Sequence, residues 1–176
     1  MGAMIFTVGN LLLLCVLIIA MITDIRSNRI PNWLTFPAMI MGLGFNFISA
    51  GAYGLLFGIE GLLLGISLFI IIYILGGMGA GDVKLMGAVG ATLGPQMVLW
   101  AAFYTAIIGG IYALAVIAFH SRTKATRTAL IETIKGIVYS RSLKYNKPNN
   151  EENPPKLCYG VAIAIGTIAA VILKTG

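Results

Sequence analysis

The sequence predicts an all-α, polytopic membrane protein with about six transmembrane helices, and three observations predict it. Of its 176 residues, 59% are hydrophobic and 10% charged, with a mean hydropathy of +0.94; soluble domains are not that apolar. The apolar residues fall into long runs, and at about 20 residues per span the chain holds about six, leaving one long loop. Strand-like alternation over short segments is absent, which argues against a membrane barrel.

The first run covers residues 4–23. No basic residue precedes it and no small-residue cleavage signal follows, so it reads as a span and not a signal peptide. Arg26 and Arg29 come directly after it. That order puts the N-terminus outside and the 24–32 loop in the cytoplasm. Pro31 closes the loop, and Trp33 is an interfacial anchor for the second span, 33–50. Gly51, Tyr53 and Gly54 make the outer turn, and the third span, 54–75, returns to the cytoplasm. Glu60 lies near its outer end, on the order of 20 Å from Gly76, and is read as reaching toward outer solvent.

The fourth span starts at Asp82 and ends at Gly94-Pro95. At about 20 Å it is short against a hydrocarbon core of about 30 Å. Gly87, Gly90, Ala91 and Gly94 give it small residues that allow neighbouring helices to approach closely, so Asp82 is expected to pack among helices. The fifth span, 97–119, ends inside. Residues 120–156 form a polar cytoplasmic loop. Its first part places Leu130, Ile134, Ile137 and Val138 at helical spacing among Arg127, Lys135 and Arg141, the pattern of an amphipathic helix on an anionic inner leaflet. Residues 146–155, rich in Asn, Pro and Glu, read as a flexible loop. The last span, 157–173, leaves the C-terminus outside.

The net charge of +6 fits this topology and not nucleic-acid binding. Every basic residue except Lys174 falls on the cytoplasmic side, as the positive-inside rule requires. Residues 1–176 form a single integral-membrane domain without internal repeats. Cys15 and Cys158 are far apart and make no CxxC pair, and His120 is the one histidine, so no metal and no cofactor are expected.

Two carboxylates stand out. Asp24 ends the first span and Asp82 begins the fourth, both on the cytoplasmic side. An acid beside hydrocarbon asks for a reason, because a charge at the bilayer centre costs about 2.5–3.5 kcal/mol on insertion scales. Asp82 is accounted for structurally as a helix N-terminal cap. Asp24 is not, since a carboxylate at a helix C-terminus opposes the dipole; Arg26 is its simplest structural partner. Two aspartates held close share a proton and titrate together. Such a pair can hydrolyse an amide, one carboxylate taking a proton from water while its protonated partner donates to the carbonyl. It can equally bind a cation or relay protons in a small transporter. Chemistry alone leaves both open.

The segment Gly79-x-Gly81-Asp82-x-Lys84, continuing from Leu85 through Gly90 to Gly94, resembles the GxGD motif of type IV prepilin peptidases and archaeal preflagellin peptidases. Asp24-x-Arg26-x-x-x-Ile30-Pro31-Asn32, followed by Leu34, Pro37, Gly42 and Leu43, resembles that family's first aspartate motif. The likeness is sharp over residues 24–43 and 76–95; elsewhere it is one of hydropathy. It implies an intramembrane aspartic endopeptidase of the cytoplasmic (inner) membrane. Such enzymes remove the short basic leader of prepilin or pseudopilin precursors at the cytoplasmic face, typically after a glycine and before the apolar pilin helix. Asp24 and Asp82 would be the catalytic pair, with Gly79 and Gly81 shaping the site. Arg26, Pro31, Asn32 and Lys84 would support it, Lys84 by snorkelling to the interface.

Longer bacterial members carry a cytoplasmic zinc-binding insert with paired CxxC motifs, linked to methylation of the new pilin N-terminus. This chain passes directly from Arg26 to Ile30-Pro31-Asn32, without insert or CxxC. It therefore resembles the short, peptidase-only form of tight-adherence (Flp-type) pilus systems, for which no methyl transfer is expected.

Overall fold

A computed structural model describes residues 2–120 and 158–175, with side chains over 8–113, 115 and 158–174. The described chain is helical throughout, in four elements: α1 (Gly2–Ser27), α2 (Asn32–Ile74), α3 (Ala80–His120) and α4 (Tyr159–Thr175). Residues 1–110 and 157–176 form one compact unit; a second covers 111–156. The expected amphipathic helix and flexible loop lie beyond residue 120, outside the described residues.

Two of the four elements leave helical geometry part-way. In α2 the break is at Ala50 and Gly51, the latter with φ 60° and ψ −141°. In α3 it is at Gly94, with φ 80° and ψ 180°. Both glycines occupy the left-handed half of φ space, closed to most L-residues. Each break reverses the chain. A straight helix would hold residues 43 and 58 about 22 Å apart, yet a Cβ on Gly58 would lie 2.9 Å from Leu43 Cδ2. Likewise a Cβ on Gly65 would meet both Met86, at 2.5 Å, and Val98, at 3.2 Å. The breaks fall inside the turns expected at residues 51–54 and 94–95. Among the described residues, three helices, Val8–Ser27, Asn32–Ile74 and Ala80–Ala113, are long and apolar enough to cross a membrane, and Tyr159–Lys174 is a shorter apolar helix.

Their surfaces are apolar inside and out. Leu11, Ile40, Ile48, Ile71, Ile74 and Ile172 are all exposed, an arrangement water does not tolerate over such an area and lipid does. The packed faces follow helical periodicity. On α1 they run Leu13, Val16, Leu17, Ala20; on the first arm of α3, Leu85, Met86, Val89, Leu93. α1 packs on α2 and on α4. The second arm of α3 runs antiparallel to α4: Trp100 lies under the Lys174 ammonium, Thr105 faces Gly166, and Gly109 faces Tyr159.

Contact between α2 and α3 depends on missing side chains. Gly61 and Gly90 cross so closely that a Cβ on either would strike the other's carbonyl. A Cβ on Gly42 would lie 3.0 Å from the Ala91 carbonyl carbon. Small residues at such crossings bring backbones into van der Waals contact, which drives helix association in lipid. One polar staple reinforces it: Asn46 Nδ2 donates to the carbonyls of Gly42 (3.2 Å), Ala91 (2.8 Å) and Thr92 (3.2 Å). A valine at position 61 overpacks this crossing. Gly61→Val is expected to cost about 1–3 kcal/mol, measured by thermal unfolding of the detergent-solubilised protein. Gly44→Ala, where nothing stands within 4 Å, stays within about 0.5 kcal/mol of the parent.

Candidate functional site

Asp24 continues the packed stripe of α1. It stands four residues after Ala20, where the periodicity calls for a core side chain, and is only 5% exposed. Asp82 opens the corresponding stripe of α3 and is 7% exposed. Both acids thus occupy interior register positions, and Asp24 lies near enough for its charge to act on Asp82.

A main-chain amide accounts for one oxygen of each carboxyl group, a remote one for Asp24 and a local one for Asp82. Helix α1 is followed by Asn28, whose φ of 50° is the left-handed conformation that stops helices and that Asn accepts better than most residues. The Asn28 N–H donates back to the Asp24 carbonyl at 2.8 Å. The Asp24 side chain looks elsewhere, its Oδ2 accepting the Gly160 N–H of α4 at 2.8 Å. Arg26, expected as the simplest structural partner, is exposed. The dipole objection to Asp24 is met in the same way, by the positive N-terminus of another helix.

Asp82 sits three residues after Gly79. The Asp82 N–H donates to the Gly79 carbonyl at 3.1 Å, and the Gly79 N–H donates to Asp82 Oδ2 at 2.9 Å. This is half of a capping box, an acid at the third helical position reaching back to the cap amide. The other oxygen, Oδ1, is buried with no hydrogen-bond partner among the described residues. Capping therefore satisfies one side of the carboxyl and leaves the other unused, at a cost that buried polar atoms rarely carry without a function.

The glycines have separable tasks. A Cβ on Gly79 would stand 3.3 Å from Asp82 Oδ2. A Cβ on Gly81 would lie 2.9 Å from both the Cβ and the carbonyl oxygen of Ile30, so Gly81 is where the two motif segments touch. Pro31 starts α2 from an extended conformation, φ −74° and ψ 146°, and its carbonyl accepts the Leu34 N–H at 3.1 Å. Lys84 bridges the same segments: its ammonium donates to Asn32 Oδ1 at 2.8 Å and lies 5.0 Å from the centre of the Phe36 ring. The expected snorkelling lysine thus has a defined partner as well.

Gly160 and Tyr159 were not foreseen. Tyr159 lies within electrostatic reach of Asp82. The available signal was a glycine in the first turn of the last apolar run, at the same end of the helices as both acids. Glu60 is exposed on α2 and belongs to no cluster with the aspartates. No group of three or more His, Cys, Asp or Glu able to hold a metal occurs among the described residues. An almost wholly apolar cavity of about 440 Å³ lies between α1 and α4, against Leu13, Leu17, Thr167 and Val171, and no titratable side chain lines it.

The sequence model of the type IV leader peptidase family matches residues 11–114, a stretch that includes both motif segments. The chain belongs to that family. Similar proteins named prepilin leader peptidase/N-methyltransferase occur in Klebsiella pneumoniae, Bacillus subtilis (strain 168) and Neisseria gonorrhoeae. The first is 37% identical over 95 residues, 50% of this chain and 41% of the relative. The second is 32% identical over 104 residues, 57% and 41%. The third is 30% identical over 114 residues, 61% and 40%. The matches thus span about two fifths of the length of these relatives. No solved structure matches the chain.

Within this leader peptidase family member, the Lys84–Asn32 bond ties the two motif segments directly. Lys84→Met and Asn32→Ala are each expected to lower stability by about 1 kcal/mol. The double substitution should cost little more than either alone, because both remove one interaction. Thermal unfolding of the four proteins measures that coupling.

Proposed function

We propose that the chain is an intramembrane aspartic endopeptidase that removes the leader peptide of type IV prepilin-like precursors, those of Flp-type pili in particular. The observation that carries this reading is the placement of two buried aspartates from distant parts of the chain within electrostatic reach of one another, with Asp82 Oδ1 unpartnered among the described residues. Membership of the type IV leader peptidase family supports the same conclusion, as do the names of the relatives.

In this mechanism one carboxylate takes a proton from a water molecule as the water oxygen attacks the scissile carbonyl. The protonated partner donates to the carbonyl oxygen. Collapse of the tetrahedral intermediate breaks the C–N bond, with a proton passing to the leaving amine. Asp24 and Asp82 are the catalytic residues, and the amides of Gly160 and Gly79 each hold one carboxyl oxygen in place.

The topology proposed is six spans, the breaks at Gly51 and Gly94 making two spans each of α2 and α3. The site faces the cytoplasm, with N- and C-termini outside and the anionic inner leaflet beside it. Arg26, Arg29 and Lys84 at the aspartate end of the helices support that orientation. Lys174 stands at the far end of α4, over Trp100 at 3.9 Å from the ring centre, where aromatic and basic residues anchor an interface.

The test is co-expression with an Flp-type prepilin, reading leader removal by gel mobility. Asp24→Asn and Asp82→Asn are each expected to lower cleavage by roughly 10²–10⁴-fold or more, with the protein still inserted in the membrane. Glu60→Gln and His120→Ala leave cleavage largely intact. Full activity in either aspartate variant overturns the mechanism. Mass spectrometry of the mature pilin should find an unmethylated N-terminus when S-adenosylmethionine is supplied; methylation by this protein alone refutes the peptidase-only assignment.

A further inference from the structure

We propose that the backbone N–H of Gly160 is a positioning group for Asp24, and that position 160 is side-chain-free because the aspartate must lie directly against it; this rests on the peptidase reading above. Asp24 stands in the last turn of α1, where the helix offers spare carbonyls and no spare donor. A carboxylate there needs a donor from another segment. Helix α4 brings one, since the amides of a first helical turn have no partner within their own helix. Gly160 is the second residue of α4, and its N–H meets Asp24 Oδ2 at 2.8 Å in a buried setting.

The fit is close over the whole carboxyl group. A Cβ on Gly160 would stand 2.9 Å from Oδ2, 3.1 Å from Cβ and 3.2 Å from Cγ of Asp24. An alanine could enter only by displacing the side chain it now holds. The two residues before Gly160 hold the start of α4 against two other elements. Cys158 Sγ lies 3.9 Å from the Asp24 carbonyl oxygen and 3.7 Å from Asn28 Oδ1. The Tyr159 ring comes within 3.6 Å of a Cβ placed on Gly109, and Tyr159 is within electrostatic reach of Asp82. Three consecutive residues therefore touch the end of α1, the second arm of α3 and the carboxyl of Asp24. That makes the start of α4 a third wall of the site, contributed by a segment outside both motif segments and outside the family match. Reactions assisted by positioned groups lose rate steeply with sub-ångström displacement, so this contact acts on turnover through Asp24.

The experiment measures kcat and KM for leader removal from a synthetic precursor bearing a basic leader, a glycine and an apolar helix, using the full chain in lipid nanodiscs. Gly160→Ala is expected to lower kcat about tenfold or more with KM held within about twofold, while the amount of inserted protein is unchanged. Replacing the 159–160 amide by an ester, through incorporation of glycolic acid at position 160, removes the N–H and adds no bulk; it should give the same kcat loss. Ile165→Ala, on the exposed side of α4, leaves both constants unchanged. An ester protein with unaltered kcat overturns the proposal whatever Gly160→Ala does, and so does a loss confined to KM. Failure of the unsubstituted protein to cut the precursor is a separate result, which removes the peptidase reading itself.

Discussion

Close approach of backbone to backbone is the constraint on which the rest of this structure depends. In lipid, apolar side chains gain nothing from leaving their solvent, so helices associate through packing and polar contacts. Here the packing is achieved by omission. Gly61 crosses Gly90, Gly42 meets Ala91, and Gly81 lies on Ile30. The first two contacts set the height and rotation of α3 relative to α2, the third sets α3 against the segment before α2, and all three bear on the position of Asp82. The Asn46 amide, spread over three carbonyls, locks the same interface in a place where an unpaired polar group would be costly.

A second demand follows from putting acids in that interior. Each buried carboxyl needs donors, and the helices provide them from their ends, where amides are free. Gly79 provides for Asp82 within its own segment; Gly160 provides for Asp24 from the far end of the sequence. The division leaves Asp82 Oδ1 unmatched among the described residues. A site built for stability alone would pair that atom or replace it with a hydrocarbon of similar size.

Much of this was legible in the sequence. Hydropathy gave the helical class, and turn residues marked the reversals at Gly51 and Gly94, because only glycine reaches those dihedrals without strain. The GxGD segment and the Asp24 segment gave the family. The role of α4 was not legible, for a physical reason. Periodicity tells which face of a helix is packed, and says nothing of which helix it is packed against. A contact across 136 residues, as between Asp24 and Gly160, has no local signature beyond a glycine at a helix start. The sequence reads Lys84 as snorkelling to the interface and leaves its partner unnamed for the same cause: Asn32 is 52 residues away.

The donors that hold the two acids are main-chain amides, and this bears on how the family can diversify. A peptide N–H is supplied by every amino acid except proline, so side chains around the acids can be exchanged over evolutionary time without loss of either bond. What cannot drift is volume at the donors themselves. Descendants of a common ancestor would be free to reshape their neighbourhood for different clients while two residues without side chains, far apart in the gene, stay as they are.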